Sequence, residues 1–188
     1  MMNTLAALLS LTLPLSAGAA QDSSATKVVS GTVILKTGDW FRVDGDKGGI
    51  KIVPIASGPI TYEVAFRADP ASAKRAGSFD DSSAVYDAAR GLTIRSGKDV
   101  EIKVKIGVPA GQAVKADLET GAIEIGRLTG KIDAKVETGE LDYDARALPA
   151  DVCVNASANE GSVTNKRDFR CKPGEANLHV HTGTVEVK

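Results

Sequence analysis

The stretch "ETGAIEIGRLTGKIDAKVETGELDYD", Glu119 to Asp144, decides the fold of this chain. A Thr-Gly pair occurs in it three times, each followed by apolar residues at alternate positions. Alternation of this kind is typical of a β-strand that buries one face. The stretch therefore predicts a repeated β-structure that builds a surface, and it does not resemble a catalytic motif.

The same unit recurs through the C-terminal half of the chain. The triplets "ETG", "ETG", "NEG" and "HTG" end on Gly121, Gly139, Gly161 and Gly183, which are 18, 22 and 22 residues apart. A sequence repeat of about 20 residues, with the same pattern of apolar residues in each repeat, indicates a solenoid, in which each unit packs on the next.

The alternation of apolar residues shifts by one position at each of these glycines. Apolar residues stand three and five positions before each glycine and two positions after it: Leu118, Val136, Ala158 and Val180; Ala116, Ala134, Ala156 and Leu178; Ile123, Leu141, Val163 and Val185. In a straight strand, the residues on one face are an even number of positions apart. The apolar residues before and after each glycine are an odd number of positions apart, so the chain must turn at the glycine, which accepts backbone angles that other residues avoid. We predict an all-β, right-handed parallel β-solenoid with short rungs that turn at Thr-Gly corners. An antiparallel β-sandwich with hairpins at these pairs is the alternative.

The N-terminus has the layout of a secretory signal peptide. Residues 1–20 are uncharged, with an apolar run from Leu5 to Leu15 and small residues at the end. We predict a signal peptide at 1–20 and export to the periplasm or cell surface. Residues 21–188 are predicted to form one domain. Its less regular part, 21–91, contains a loop at 70–91, and its regular repeats, 92–188, contain an insertion at 166–177.

Charge and hydropathy exclude some partners. The formal net charge is −1, which does not indicate a nucleic-acid partner. No segment after the signal peptide approaches the roughly 20 apolar residues of a membrane-spanning helix.

The chain has two cysteines, Cys153 and Cys171. In an oxidising compartment a single disulfide is the simplest interpretation, and it would tie the insertion to the wall of the solenoid. A metal pair or a redox pair fits less well, because there is no second cysteine pair and no C-x-x-C spacing.

The segments "VEIKVKIGVPAGQAVKADLETGAIEIG", "GKIDAKVETGELDYD" and "NLHVHTGTVEVK" together resemble the putative-adhesin family of exported bacterial envelope proteins. The resemblance covers about 92–188 and rests on a strand ending in "VP" followed by "T-G-x-V-x-V" units. It implies a β-strand-repeat fold in the cell envelope, and it supplies no catalytic residues.

Stacked units would place residues of equal offset in outward columns, roughly 4.8 Å apart. Glu119, Glu137, Asn159 and His181 share one offset; Asp117, Lys135, Ser157 and His179 share a second; Glu124, Asp142, Thr164 and Glu186 share a third. Glu119 and Glu137 would then be neighbours. Two carboxylates at this separation suit glycan hydrolysis. Alternatively, they are solvated side chains on a charged surface whose lysines balance their charge.

Two metal sites are conceivable on these columns. Glu124, Glu140 and Asp142 would gather near a corner and suit calcium, although no calcium-loop motif is present. His179 and His181 lie on one side of a strand and could share a transition metal, with no third ligand evident beyond Glu137 or Glu160. A polar outer face on the last unit is the simpler interpretation.

These observations favour a non-enzymatic envelope protein of adhesin-like type that needs no cofactor. It would bind a protein or glycan of the cell envelope through a flat repeat wall. A carbohydrate-binding or carbohydrate-active protein that uses Glu119 and Glu137, or a bound calcium, is the alternative.

Overall fold

The computed structural model describes residues 26–36, 38–68, 79, 81–149, 152–166 and 172–188. For residues 172–175 it describes the backbone only. The predicted signal peptide and Cys171 lie outside the described residues. Among the described residues, no helix is long and apolar enough to cross a membrane.

The described chain consists of β-strands and one turn of 3-10 helix at Ala145–Ala147. The strands are β1 (Thr26–Val33), β2 (Trp40–Ile55), β3 (Ile60–Ala68), β4 (Ser83–Asp87), β5 (Gly91–Arg95), β6 (Val100–Pro109), β7 (Ala113–Ile125), β8 (Ile132–Tyr143), β9 (Val152–Asn165) and β10 (Lys172–Val187). They form one mixed sheet in the order β1-β3-β6-β2-β7-β8-β10-β9, with β4 beside β5 and β5 beside β2. The all-β prediction is confirmed, whereas a purely parallel architecture is wrong.

The repeats form a parallel block. Strands β2, β7, β8, β10 and β9 pair side by side in one register. Gly48 pairs with Gly121, Gly121 with Gly139, Gly139 with Gly183, and Gly183 with Gly161. Each strand runs through its glycine and pairs in parallel on both sides of it. Hairpins at the Thr-Gly pairs, the alternative prediction, are therefore wrong. That the strands coil as a solenoid, and that the coil is right-handed, stays a prediction.

Glycine is required at these corners for two reasons. Gly139 has a φ of +143°, a conformation that favours glycine over residues with a side chain. A Cβ atom at Gly139 would lie 1.8 Å from the carbonyl oxygen of Gly121, so the neighbouring rung occupies the space where a side chain would stand. The corner glycines thus stack directly on one another, which fixes the register of the block.

Small and branched side chains fill the interior of the block. Ala116, Leu118 and Ile123 on β7 are each at most 3% exposed. The predicted inward positions are confirmed on β7, β8 and β10. On β9, Ala156 and Ala158 are only half-buried and Val163 is 41% exposed. The predicted burial of Val163 is therefore wrong.

The exposure of Val163 follows from the order of the strands. Consecutive stacking would place β9 beside β8, but β10 lies between them and β9 forms the edge of the sheet. The predicted order of the last two units is therefore wrong. Asn165 on β9 occupies the register position of Val187 on β10 and Tyr143 on β8, both fully buried.

The N-terminal half differs from the predicted layout. Strands β1, β3 and β6 pair antiparallel, and β5 and β6 pair in parallel with the two halves of β2. The predicted loop at 70–91 contains β4, which pairs antiparallel with β5, while residues 69–78 and 80 lie outside the described residues. β10 begins at Lys172, within the predicted insertion at 166–177, and its register against β9 shifts between Lys172 and Ala176.

Candidate binding surface

A polar surface covers one face of the parallel block. We call it the polar wall and define it by the side chains two, four and six positions before each corner glycine. These are Arg42, Asp44 and Asp46 on β2; Lys115, Asp117 and Glu119 on β7; Asp133, Lys135 and Glu137 on β8; Asn177, His179 and His181 on β10; and Asn155, Ser157 and Asn159 on β9. They point outward because the intervening residues fill the core.

The half of the polar wall on β2, β7 and β8 is charged. Lys115 Nζ lies 3.2 Å from Asp133 Oδ2 on the next strand, and Lys135 Nζ lies 2.5 Å from Glu137 Oε1 on its own strand. These side chains are between 42% and 47% exposed, so each pair stabilises the fold only weakly.

The half of the polar wall on β10 and β9 carries no carboxylate or lysine among its six positions. Asn155 Nδ2 donates to Asn177 Oδ1 at 2.9 Å. The hydroxyl of Ser157 is bonded to His179 Nδ1 at 2.8 Å, and the amide of Asn159 to His181 Nδ1 at 2.9 Å. Three hydrogen-bonded pairs, one in each column, therefore hold the side chains of this half in fixed positions.

Glu119 and Glu137 lie on adjacent strands. The flanking pairs Leu118–Val136 and Thr120–Thr138 place them side by side. Hydrogen bonding from Lys135 holds the pKa of Glu137 below its ordinary value, and the nearby His181 and His179 act in the same direction. A glycosidase acid needs a carboxyl group with a raised pKa, so the surroundings of Glu137 disfavour that role.

Glu124 and Asp142 also pair across adjacent strands, but on the face that follows the corner glycines. Each is already ion-paired with a lysine: Glu124 Oε1 lies 2.7 Å from Lys51 Nζ, and Asp142 contacts Lys188. Among the described residues, no group of three or more acidic, histidine or cysteine side chains is arranged to hold a metal ion. Calcium binding here stays a prediction.

His179 and His181 lie on the same side of β10, as predicted from their spacing. Both Nδ1 atoms are bonded to side chains of β9. Within the described part of the chain, no third ligand joins them in a metal-binding group. The geometry favours a polar outer face, and a shared transition metal remains a prediction.

Sequence reasoning missed the first rung of the block. Gly48 on β2 has a φ of +118° and pairs with Gly121, which brings Trp40, Arg42, Asp44 and Asp46 onto the face of the polar wall. The signal was present, because "GGIKI" at 48–52 repeats the spacing of "GAIEI" at 121–125. It was overlooked because Gly48 lies 73 residues before Gly121, outside the run of 18- and 22-residue spacings.

Comparison with known proteins supports the fold. No family model matches the chain. No curated protein matches it significantly in sequence. A solved structure from Clostridium sporogenes, described as a "putative cell adhesion protein", has a TM-score of 0.50 and 11% identity, covering 88% of this chain and 99% of that one. A "putative adhesin" from Parabacteroides merdae is similar more weakly, with a TM-score of 0.31, 14% identity, and coverage of 86% and 76%. The chain therefore shares its fold with the Clostridium protein.

Proposed function

We propose that this protein is an exported, non-enzymatic β-repeat protein of adhesin-like type that binds a protein or glycan of the cell envelope through the polar wall. The observation that carries the proposal is the wall itself: fifteen outward side chains on five parallel strands in one register. Such a surface offers many weak contacts at fixed spacing, which suits an extended partner. The solved Clostridium sporogenes structure with this fold is described as a "putative cell adhesion protein", which is consistent with the proposal.

The proposal extends to the compartment and to the cysteines. Cleavage of residues 1–20 would deliver the chain to the periplasm or cell surface, where Cys153 and Cys171 would form a disulfide. Cys153 lies on the edge strand β9, next to the buried Val154. Thiol labelling of the exported protein without reductant tests this pairing, and reaction of both cysteines would contradict it.

Two matched ion pairs allow the polar wall to be tested. Lys135 and Glu137 form a pair on the wall, and Lys51 and Glu124 form a similar pair on the face beyond the corners. We expect K135Q/E137Q to weaken binding to an envelope glycan array or to immobilised envelope proteins severalfold, while K51Q/E124Q binds as the wild type does. Both double variants remove one positive and one negative charge, so the net charge is unchanged.

Two results would contradict the proposal. Equal binding by both double variants and the wild type would exclude the polar wall as the contact surface. Turnover of a polysaccharide by the wild-type protein, lost in E119Q/E137Q, would establish a carbohydrate-active enzyme instead.

A further inference from the structure

A turn of the chain packs against the β2 end of the polar wall. The turn at 88–90 joins β4 to β5, and the carboxylate of Asp87 accepts hydrogen bonds from the backbone N–H groups of Ala89 and Arg90, at 2.9 and 3.0 Å. Gly91 has a φ of +94°, and a Cβ atom there would lie 2.4 Å from the carbonyl oxygen of Arg42. The turn therefore lies directly against β2, with Arg90 held near Arg42.

Two adjoining cavities flank this contact, and both are lined by Arg42 and Ala89. The larger, about 560 Å³, is lined by charged side chains: Arg42, Arg90, Arg95, Lys115, Asp44 and Asp117. The smaller, about 310 Å³, is lined by Trp40 and Tyr86 among others. We call the two together the Arg42 groove.

The Arg42 groove is lined by one more cationic than anionic side chain: Arg42, Arg90, Arg95 and Lys115 against Asp39, Asp44 and Asp117. Arg95 Nη1 lies 2.6 Å from Asp44 Oδ1, and Lys115 is shared between Asp133 at 3.2 Å and Asp117 at 4.0 Å. Within the described part of the chain, neither Arg42 nor Arg90 is ion-paired with a carboxylate. Two guanidinium groups are thus left for an anion, and guanidinium binds carboxylate through paired hydrogen bonds.

The remaining lining suits a sugar ring. Trp40 is 38% exposed, and Tyr86 is held in place by stacking on Phe41, with ring centroids 6.4 Å apart. Rigid aromatic faces provide large contact areas at small entropic cost. Asp44, Asp117 and Thr93 supply oxygen atoms that can accept hydrogen bonds from hydroxyl groups. Partial burial raises the pKa of Asp117, with the neighbouring Asp133 and Asp44 adding to the effect and Lys115 opposing it.

We propose that the Arg42 groove binds a uronic-acid residue of an acidic polysaccharide, with Arg42 and Arg90 on its carboxylate and Trp40 against its ring. The inference rests on the proposed function and names the ligand class for one end of the polar wall. A ligand with one negative charge and several hydroxyl groups fits this lining better than a phosphate, because Asp44 and Asp117 would repel a doubly charged group.

Trp40 is the only tryptophan of the chain, so its fluorescence reports on the groove directly. We would titrate the mature protein with an oligogalacturonate, with a neutral galactose oligomer of equal length and with inorganic phosphate. The oligogalacturonate is expected to change the Trp40 emission saturably, and the other two ligands to leave it unchanged. R42Q should weaken oligogalacturonate binding about tenfold. R67Q, which removes an exposed arginine from the distant strand β3, should leave it unchanged.

Each other result overturns the inference. Equal responses to the acidic and neutral oligomers would show that the arginines do not select the ligand. A response to phosphate alone would show a simple anion site. Unaltered affinity in R42Q, or no response to any of the three ligands, would place the binding surface elsewhere. None of these results would reverse the comparison of K135Q/E137Q with K51Q/E124Q, so a failure here is distinct from a failure of the proposed function.

Discussion

Strands β8 and β9 carry the same repeat unit but end in different environments. Both turn at a glycine with a φ near +140°, Gly139 in β8 and Gly161 in β9. β8 lies between β7 and β10, whereas β9 pairs with β10 at the edge of the sheet. Leu141 on β8 is 1% exposed and Val163, two positions after the corner on β9, is 41% exposed. The repeat unit sets the backbone conformation, and the neighbouring strands set the burial.

The edge position also explains the composition of β9. Beyond its corner the strand reads Ser162, Val163, Thr164 and Asn165, of which only Val163 is apolar. Asn165 Nδ2 donates to the carbonyl of Val154 at 3.1 Å, a bond that a buried aliphatic residue could not make. β9 forms the edge of the block, and the polar residues after its corner are exposed or half-buried there.

The largest expected difference between the two rungs concerns their glycines. In G139A the new methyl group would meet the Gly121 carbonyl at 1.8 Å, in a strand held on both sides. We expect a loss of about 3 kcal/mol or more in the free energy of unfolding, or failure to fold, from clash and backbone strain together.

G161A is the matched variant at the edge. Its methyl group would meet the Gly183 carbonyl at 1.7 Å, but β9 can move outward, so we expect a loss of about 1–2 kcal/mol. Urea unfolding of both variants measures the difference. Equal losses would show that the edge rung is held as firmly as the inner one.

The next difference concerns apolar side chains at one register position. Val185 on β10 is 1% exposed and pairs with Val163 on β9. V185A should lower the free energy of unfolding by about 2 kcal/mol, because it leaves a cavity between flanking strands. V163A should cost less than about 1 kcal/mol, since much of this side chain already contacts water. Thermal and urea unfolding both test this, and a larger loss in V163A would mean that a partner covers β9 in solution.

The smallest expected difference concerns the residues that follow each strand. After β8, Asp144 is ion-paired with Arg127 at 3.0 Å and with Arg146 at 2.6 Å. After β9, the exposed Lys166 lies 3.5 Å from Glu186. D144N keeps the capping geometry and removes the charge, so it should lower the melting temperature at pH 7 by more than K166Q does.

The effect of D144N should depend on pH. Hydrogen bonds from Arg146 and Arg127 hold the pKa of Asp144 well below its ordinary value of 3.8. Stabilisation by a carboxylate with a lowered pKa is present above that ordinary value and is lost as the pH falls toward the folded-state pKa. The gap in melting temperature between wild type and D144N should therefore narrow below about pH 4. A gap that is constant between pH 7 and pH 3 would show that the charge of Asp144 does not contribute.

Much of the polar wall could be predicted from local pattern. The apolar residues before and after each glycine are an odd number of positions apart. This identified the corners Gly121, Gly139, Gly161 and Gly183, and the regular spacing of the corners made Glu119 and Glu137 neighbours. These predictions succeeded because backbone strain at glycine and alternation along a strand act over a few residues. The Arg42 groove could not be predicted in this way, because Trp40 and Arg42 belong to β2 while Arg90 and Arg95 come from a later turn and strand.

The sequence by itself determined where the chain turns and which side chains point outward, since both depend on conformations that each residue adopts locally. Only the tertiary structure decided which rung lies beside which. Every corner glycine offers the same carbonyl to its neighbour, so the repeat would accept Gly161 beside Gly139 as well as it accepts Gly183 there. The choice is made by burial: β10 has apolar residues at every inward position and is covered on both sides, and the more polar β9 is left at the edge.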